Sequence, residues 1–167
     1  MTTRALFNRK YTDYTPGGQQ VWLVNGAGVT TSLSSTENFT AAVSLIQGEA
    51  VYVSGTYVVP ATAASGVASE WYNAIGITSA AASAAATVPV VLDDIAVISP
   101  ANIAAGTELV PGEYYYLSQY TGQLTAYSTA SGVVTAASGY AALVNIGQAL
   151  STTELQVEIQ PPVVLYD

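Results

Sequence analysis

Near the C-terminus apolar and polar residues alternate strictly, with Leu155, Val157 and Ile159 on one side and Glu154, Gln156, Glu158 and Gln160 on the other. A period of two predicts a strand with one wet face, and Pro161-Pro162 closes it because proline brings no N–H to a ladder. Elsewhere short runs rich in Val, Ile, Thr and Tyr recur between turn residues. They predict strands at Val21 to Val24, Ala50 to Ser54, Thr56 to Val59, Ala74 to Thr78, Val88 to Leu92, Ile95 to Ser99, Tyr114 to Ser118, Gln123 to Tyr127 and Leu143 to Ile146. About ten short strands at close spacing predict an all-β fold, a β-sandwich or a small barrel. Ser79 to Ala86 is alanine-rich and reads equally as a short helix or as a loop, since so short a segment makes a marginal helix.

The pattern also repeats. Gly48 to Ser54 (GEAVYVS) and Gly112 to Ser118 (GEYYYLS) match at Gly, Glu, Tyr and Ser. Each is followed by a glycine-containing turn (Gly55; Thr121-Gly122), a second strand, and an Asn-x-Ile-Gly or Asn-Ile-Gly element at Asn73 to Gly76 and Asn145 to Gly147. The repeat-like units run over 48–78 and 112–150, and the second is longer by a loop placed within Ser128 to Gly139. Each unit reads as a hairpin plus a returning strand, which cannot bury its own face alone, whereas two packed copies can. In this alignment Val51 and Val53 correspond to Tyr115 and Leu117 as an inward set, and Tyr52 corresponds to Tyr116 on the opposite face. Chance similarity between short hairpins is the alternative.

Composition narrows the chemistry. The 167 residues suit one domain with an appendage. There is no Cys and no His, which removes disulfides, thiolate metal sites, the commonest general base and the commonest nitrogen ligand. Only three residues are basic, Arg4, Arg9 and Lys10, while the eleven carboxylates run from Asp13 to Asp167, so the net charge of -8 divides into a +3 tip and a -11 body. A body without Lys has no Schiff-base lysine and no phosphate-loop lysine. An acidic body repels nucleic acid and anionic lipid, so neither is expected as a partner. The N-terminus carries no apolar stretch of signal-peptide length, and no apolar run is long enough to span a bilayer, so neither export nor a membrane is expected.

Three groups of residues are candidates for function. Arg4, Phe7, Arg9, Lys10, Tyr11 and Tyr14 interleave cations with aromatics ahead of Pro16-Gly17-Gly18, and read as an extended arm and linker over residues 1–18 that docks on an acidic partner, with a single β domain over 19–167. A solvated terminus is the plainer alternative. Tyr114, Tyr115, Tyr116, Tyr120 and Tyr127 gather around one hairpin; Tyr115, Tyr116, Tyr120 and Tyr127 are candidates for surface binding of a glycan, against cross-strand pairing within a sheet. Trp22 and Trp71 read as core or subunit-contact residues. Asp93-Asp94 between two apolar strands reads as a turn. No carboxylate spacing suggests calcium, and no catalytic, cofactor or metal residue is assigned; a hydrolase using two carboxylates alone is the weakest alternative.

Three stretches carry a resemblance: Leu109-Val-Pro-Gly-Glu-Tyr-Tyr-Tyr-Leu-Ser, Thr121-Gly-Gln-Leu-Thr, and Asn145-Ile-Gly-Gln-Ala-Leu-Ser-Thr-Thr-Glu-Leu-Gln-Val-Glu-Ile. Together they resemble a β-module recurrent in structural proteins of tailed bacteriophages, among them fibre and head-surface proteins. The resemblance covers about Gly48 to Ile159 and leaves the first 45 residues unmatched. It implies a non-enzymatic virion protein without a cofactor, made in the host cytoplasm. A capsid decoration protein is the first expectation, its arm bound to the major capsid protein or another virion protein and its acidic body facing solvent, assembled as a homo-oligomer such as a trimer. A tail-fibre or adhesin domain that binds host glycan through the tyrosine hairpin is the second.

Overall fold

The computed structural model describes residues 11–15, 18–24, 30–32, 35–104, 106–127 and 139–165. The chain divides into two compact units between Ser35 and Thr36. In the first, β1 (Tyr11–Thr15) pairs antiparallel with β2 (Gly18–Val24) from Tyr11 opposite Trp22 to Thr15 opposite Gly18, and β2 pairs with β3 (Thr30–Ser32). The boundary expected at residue 18 is therefore crossed by a hydrogen-bonded hairpin, and the break in the chain comes later, after Ser35.

The second unit is all β, with twelve strands between Thr36 and Val164. Five of them, β4 (Thr36–Ala41), β5 (Ala50–Ser54), β6 (Tyr57–Pro60), β7 (Ala74–Thr78) and β8 (Thr87–Val91), close a barrel in the order β4-β6-β5-β7-β8. β4 makes the closure: its N-terminal part runs antiparallel to β8, and Thr40 and Ala41 then pair in parallel with Tyr57 and Val58 of β6. Closing the ladder leaves no free strand edge among these five. Inside lie Ala41, Leu45, Val51, Val58, Val88 and Val90.

A second sheet follows, in the order β11 (Leu124–Ala126), β10 (Tyr114–Leu117), β13 (Asn145–Ala149), β14 (Glu154–Val157), β9 (Ile95–Val97). It repeats the strand plan of the first barrel without the full closure. Each copy has a hairpin (β5-β6; β10-β11), a returning strand antiparallel to its first strand (β7; β13), a further antiparallel strand (β8; β14), and a leading strand beside that (β4; β9). The bulges also coincide: the register slips between Val51 and Tyr52 in one copy and between Tyr115 and Tyr116 in the other, which are aligned positions. Gly48 and Gly112 both turn with a left-handed φ, of 87° and 85°, where a side chain would be strained. The repeated module is thus five strands long in each copy and begins at Thr36 and Ile95, upstream of the part visible as sequence similarity. The second copy closes only through a single parallel bridge between Ile103 and Leu124. A short sheet of β12 (Ala142–Leu143) with β15 (Val163–Val164) completes the unit.

The two copies do not pack with equivalent faces together. One buried cluster holds Ala50, Tyr52, Ala74, Ile77 and Val91 from the first copy with Tyr115, Leu117, Leu124, Ile146 and Leu155 from the second. These first-copy residues lie on the outside of its barrel, whereas the second-copy residues are its interior. The outer face of module one therefore roofs the inside of module two. Backbone bonds stitch the same junction: the Ala50 N–H donates to the Gly122 carbonyl (3.0 Å), the Gly122 N–H to Ala61 (2.7 Å), and the Ala63 N–H to Ser118 (2.9 Å).

Other sequence expectations resolve locally. Leu155 and Val157 are buried while Glu154 and Glu158 are exposed, as the alternation requires. Ser79 to Ala86 contains no helix: Ala82 bridges to Leu45, and a turn brings Ala85 to φ 64°. Asp93 and Asp94 lie in the bend between β8 and β9, where the Asp94 carboxylate accepts from the Ile95 N–H (2.7 Å). Val53 departs from the expected inward set. It is exposed, whereas its counterpart Leu117 sits in the cluster at the junction of the modules, so surroundings rather than alternation separate the two.

Candidate functional site

Arg4, Phe7, Arg9 and Lys10 lie outside the described residues. Tyr11 and Tyr14 fall in β1, where their backbone faces Trp22 and Gln19 of β2.

The tyrosine hairpin is resolved in full. Strand geometry sends alternate residues of β10 to opposite faces, and the structure sorts them so. Tyr115 is 1% exposed, and its hydroxyl accepts the Val110 N–H at 3.0 Å. It is a core residue and leaves the surface-binding group, as its alignment with buried Val51 indicated. Tyr114 and Tyr116 point the other way. Tyr114 is 47% exposed, Tyr116 is half-buried, and Tyr127 on the neighbouring strand is 51% exposed. The Tyr116 and Tyr127 rings meet at 5.7 Å and 37°, a tilted contact typical of cross-strand aromatic pairs. Tyr120 is exposed in the turn after β10, away from this pairing. Tyr114, absent from the expected binding set, belongs to the exposed group; the alternation that places Tyr115 inside places Tyr114 outside.

Amides adjoin the rings. Across β10 and β13, Tyr114 lies opposite Gln148 and Tyr116 opposite Asn145; one strand further, Gln148 lies opposite Gln156. Asn145 hydrogen-bonds the Tyr116 hydroxyl, which opposes the rise in that hydroxyl's pKa caused first by burial and then by Tyr127 and Tyr114. The Asn145 Oδ1 is buried without a partner, and a buried acceptor of this kind costs free energy until a donor reaches it. Gln148 donates from Nε2 to the Gly112 carbonyl at 2.9 Å, which fixes its amide.

Elsewhere, Trp71 is partly exposed and stacks on Tyr52 with ring centroids 6.4 Å apart, so it covers the core rather than standing free. Trp22 lies in β2, and its side chain is outside the described set. Among the described residues no group of three or more His, Cys, Asp or Glu could hold a metal ion, and no helix is long and apolar enough to cross a membrane.

Glu49 is a carboxylate whose titration is displaced. Burial raises its pKa, and the Ile46 N–H bond to Oε2 (2.8 Å) opposes the rise. A group whose folded pKa lies above its unfolded value favours folding below the unfolded pKa and loses that contribution as pH rises through the folded pKa. The chain is therefore expected to gain stability from Glu49 as pH falls through the acidic range, and Glu49→Gln is expected to flatten that part of the profile and to be the more stable form at neutral pH. Denaturation midpoints of both proteins between pH 4 and 8 check this; parallel profiles would refute it.

No protein-family model matches the chain, and no curated protein matches it either.

Proposed function

We propose that this chain is a non-enzymatic structural protein of a tailed-phage virion, of the kind that decorates the head. It attaches through its basic and aromatic N-terminal segment to the major capsid protein or another virion protein, and turns its acidic body outward. The supporting observation is that the stretch resembling the phage module, about Gly48 to Ile159, takes in every strand of the tandem modules of the second unit except β4. Charge supports the orientation. Every cation lies in the first ten residues, so an acidic shell attracts that end and repels the remainder. Many identical copies, assembled as a homo-oligomer such as a trimer, make weak individual contacts sufficient on a shell.

The test is attachment. Replacing Arg4, Arg9 and Lys10 together by Gln keeps the chain length and the β1-β2 hairpin, and is expected to abolish co-sedimentation with capsid shells while leaving the body's denaturation midpoint unchanged. Undiminished co-sedimentation of the triple variant would remove the docking role from this segment.

A further inference from the structure

The outer faces of the two modules can be compared position by position. In module one the row Ala50, Ile77, Val91 runs across β5, β7 and β8, with Tyr52 opposite Ala74 beside it. In module two the matching row is Tyr114, Gln148, Gln156, with Tyr116 opposite Asn145. Carrying each hairpin register one step further sets Ala50 beside Ala61, where the Ala61 N–H donates to the Ala50 carbonyl, and sets Tyr114 beside Tyr127. The module-one set is buried against module two. The module-two set, on the same face of the same fold, is more open: Tyr114 and Tyr127 are exposed, and Tyr116, Asn145, Gln148 and Gln156 are part-exposed. Alanines, an isoleucine and a valine have become tyrosines and amides.

We propose that this outer face of the second module, formed by Tyr114, Tyr116, Tyr127, Asn145, Gln148 and Gln156, binds a neutral oligosaccharide. Solubility explains part of the exchange, since the last module of a stacked series needs a polar outer face. It explains the amides. It does not explain large rings at Tyr114 and Tyr127, where module one has alanine and where Ser or Thr would serve a solvated surface better. Exposed tyrosine rings offer π faces to the C–H side of a pyranose, while Asn and Gln both donate to and accept from hydroxyls. Asn145, Gln148 and Gln156 are each part-exposed, so their amides border the rings. Charge selects the sugar class: none of these six residues is a cation for a sulfate, phosphate or sialic acid, and exposed Glu154, on the same side of β14 as Gln156, repels all three.

A second copy of the chain is the competing occupant, because module one uses this same face to pack on module two. The face it covers there is the interior of an incompletely closed sheet. Module one has no such interior to offer, its own barrel being closed by β4 against β6 and β8.

The full-length protein is to be assayed on an array of neutral, sialylated and sulfated glycans, with the strongest neutral ligand then titrated by calorimetry. Binding is expected on neutral glycans alone. Tyr114→Ala and Tyr127→Ala are each expected to weaken it about tenfold, in proteins whose denaturation midpoints are unchanged. Tyr57→Ala, at an exposed tyrosine of module one outside this face, is expected to bind as the parent does. No neutral binding, or full binding by the Tyr114→Ala/Tyr127→Ala protein, overturns the proposal. Loss of self-association in sedimentation by that protein without any effect on glycan binding overturns it in favour of the second copy. Shell attachment is a separate readout, so either proposal can fail alone.

Discussion

Gly147→Ala is expected to destabilise the protein by about 3 kcal/mol or more, one of the largest effects available to a single methyl group in this fold. Gly147 lies in β13 opposite Val157 of β14, and a Cβ at this position would run into the Gln156 carbonyl and crowd the Val157 Cα at 3.2 Å. The obstacle is backbone, so no rotamer change relieves it; β14 would have to move off β13, and β14 also holds β9. The same obstruction stands in module one, where a Cβ on Gly76 would meet the Val91 carbonyl and a Val90 side-chain methyl. Both glycines sit beside their module's bulge, at the point where the returning strand is pressed between two neighbours. Urea denaturation of the parent, Gly147→Ala and Gly76→Ala measures the effect; a loss below about 1 kcal/mol would show that the strands separate freely there.

Tyr115→Ala is expected to cost about 3–5 kcal/mol, and Tyr115→Phe about 1 kcal/mol. The ring is enclosed at the junction of the modules, so its removal leaves a cavity that the packed surroundings fill only in part. Removing the hydroxyl alone strands the Val110 N–H that it accepts. Tyr114→Ala, one residue away on the opposite face, is expected to change stability by no more than about 0.5 kcal/mol. Thermal or urea midpoints of the three variants separate a core tyrosine from a surface one within a single strand. Equal losses at 114 and 115 would contradict the facing of β10.

How far the site could be foreseen depended on the kind of signal. The strands Ala50–Ser54 and Ala74–Thr78 occur where Val-rich and Ile-rich runs between turn residues put them, because β-branched side chains favour the pleated backbone locally. The aromatic hairpin was legible as a cluster, but Tyr115 stood among the surface candidates although its alignment with Val51 pointed inward, and exposed Tyr114 was not among them. The true extent of the repeat was not. β4 and β9 match in register but share no recognisable residues, because a leading strand is defined by which strand it lies beside, a long-range property. The hairpin across residue 18 was missed because Pro16-Gly17-Gly18 reads equally as a linker or as a tight turn.

The sequence by itself determined an all-β chain, the absence of cysteine and histidine chemistry, the confinement of positive charge to the first ten residues, and an internal repeat. These follow from local propensity and composition, which need no knowledge of neighbours. Only the tertiary structure decided which face of each module is buried. Tyr52 and Tyr116 occupy equivalent places in equivalent strands, yet one is core and the other is half-open to solvent. Two copies stacked outer face to inner face leave one outer face more open, and it is there that small apolar residues give way to tyrosine and amide.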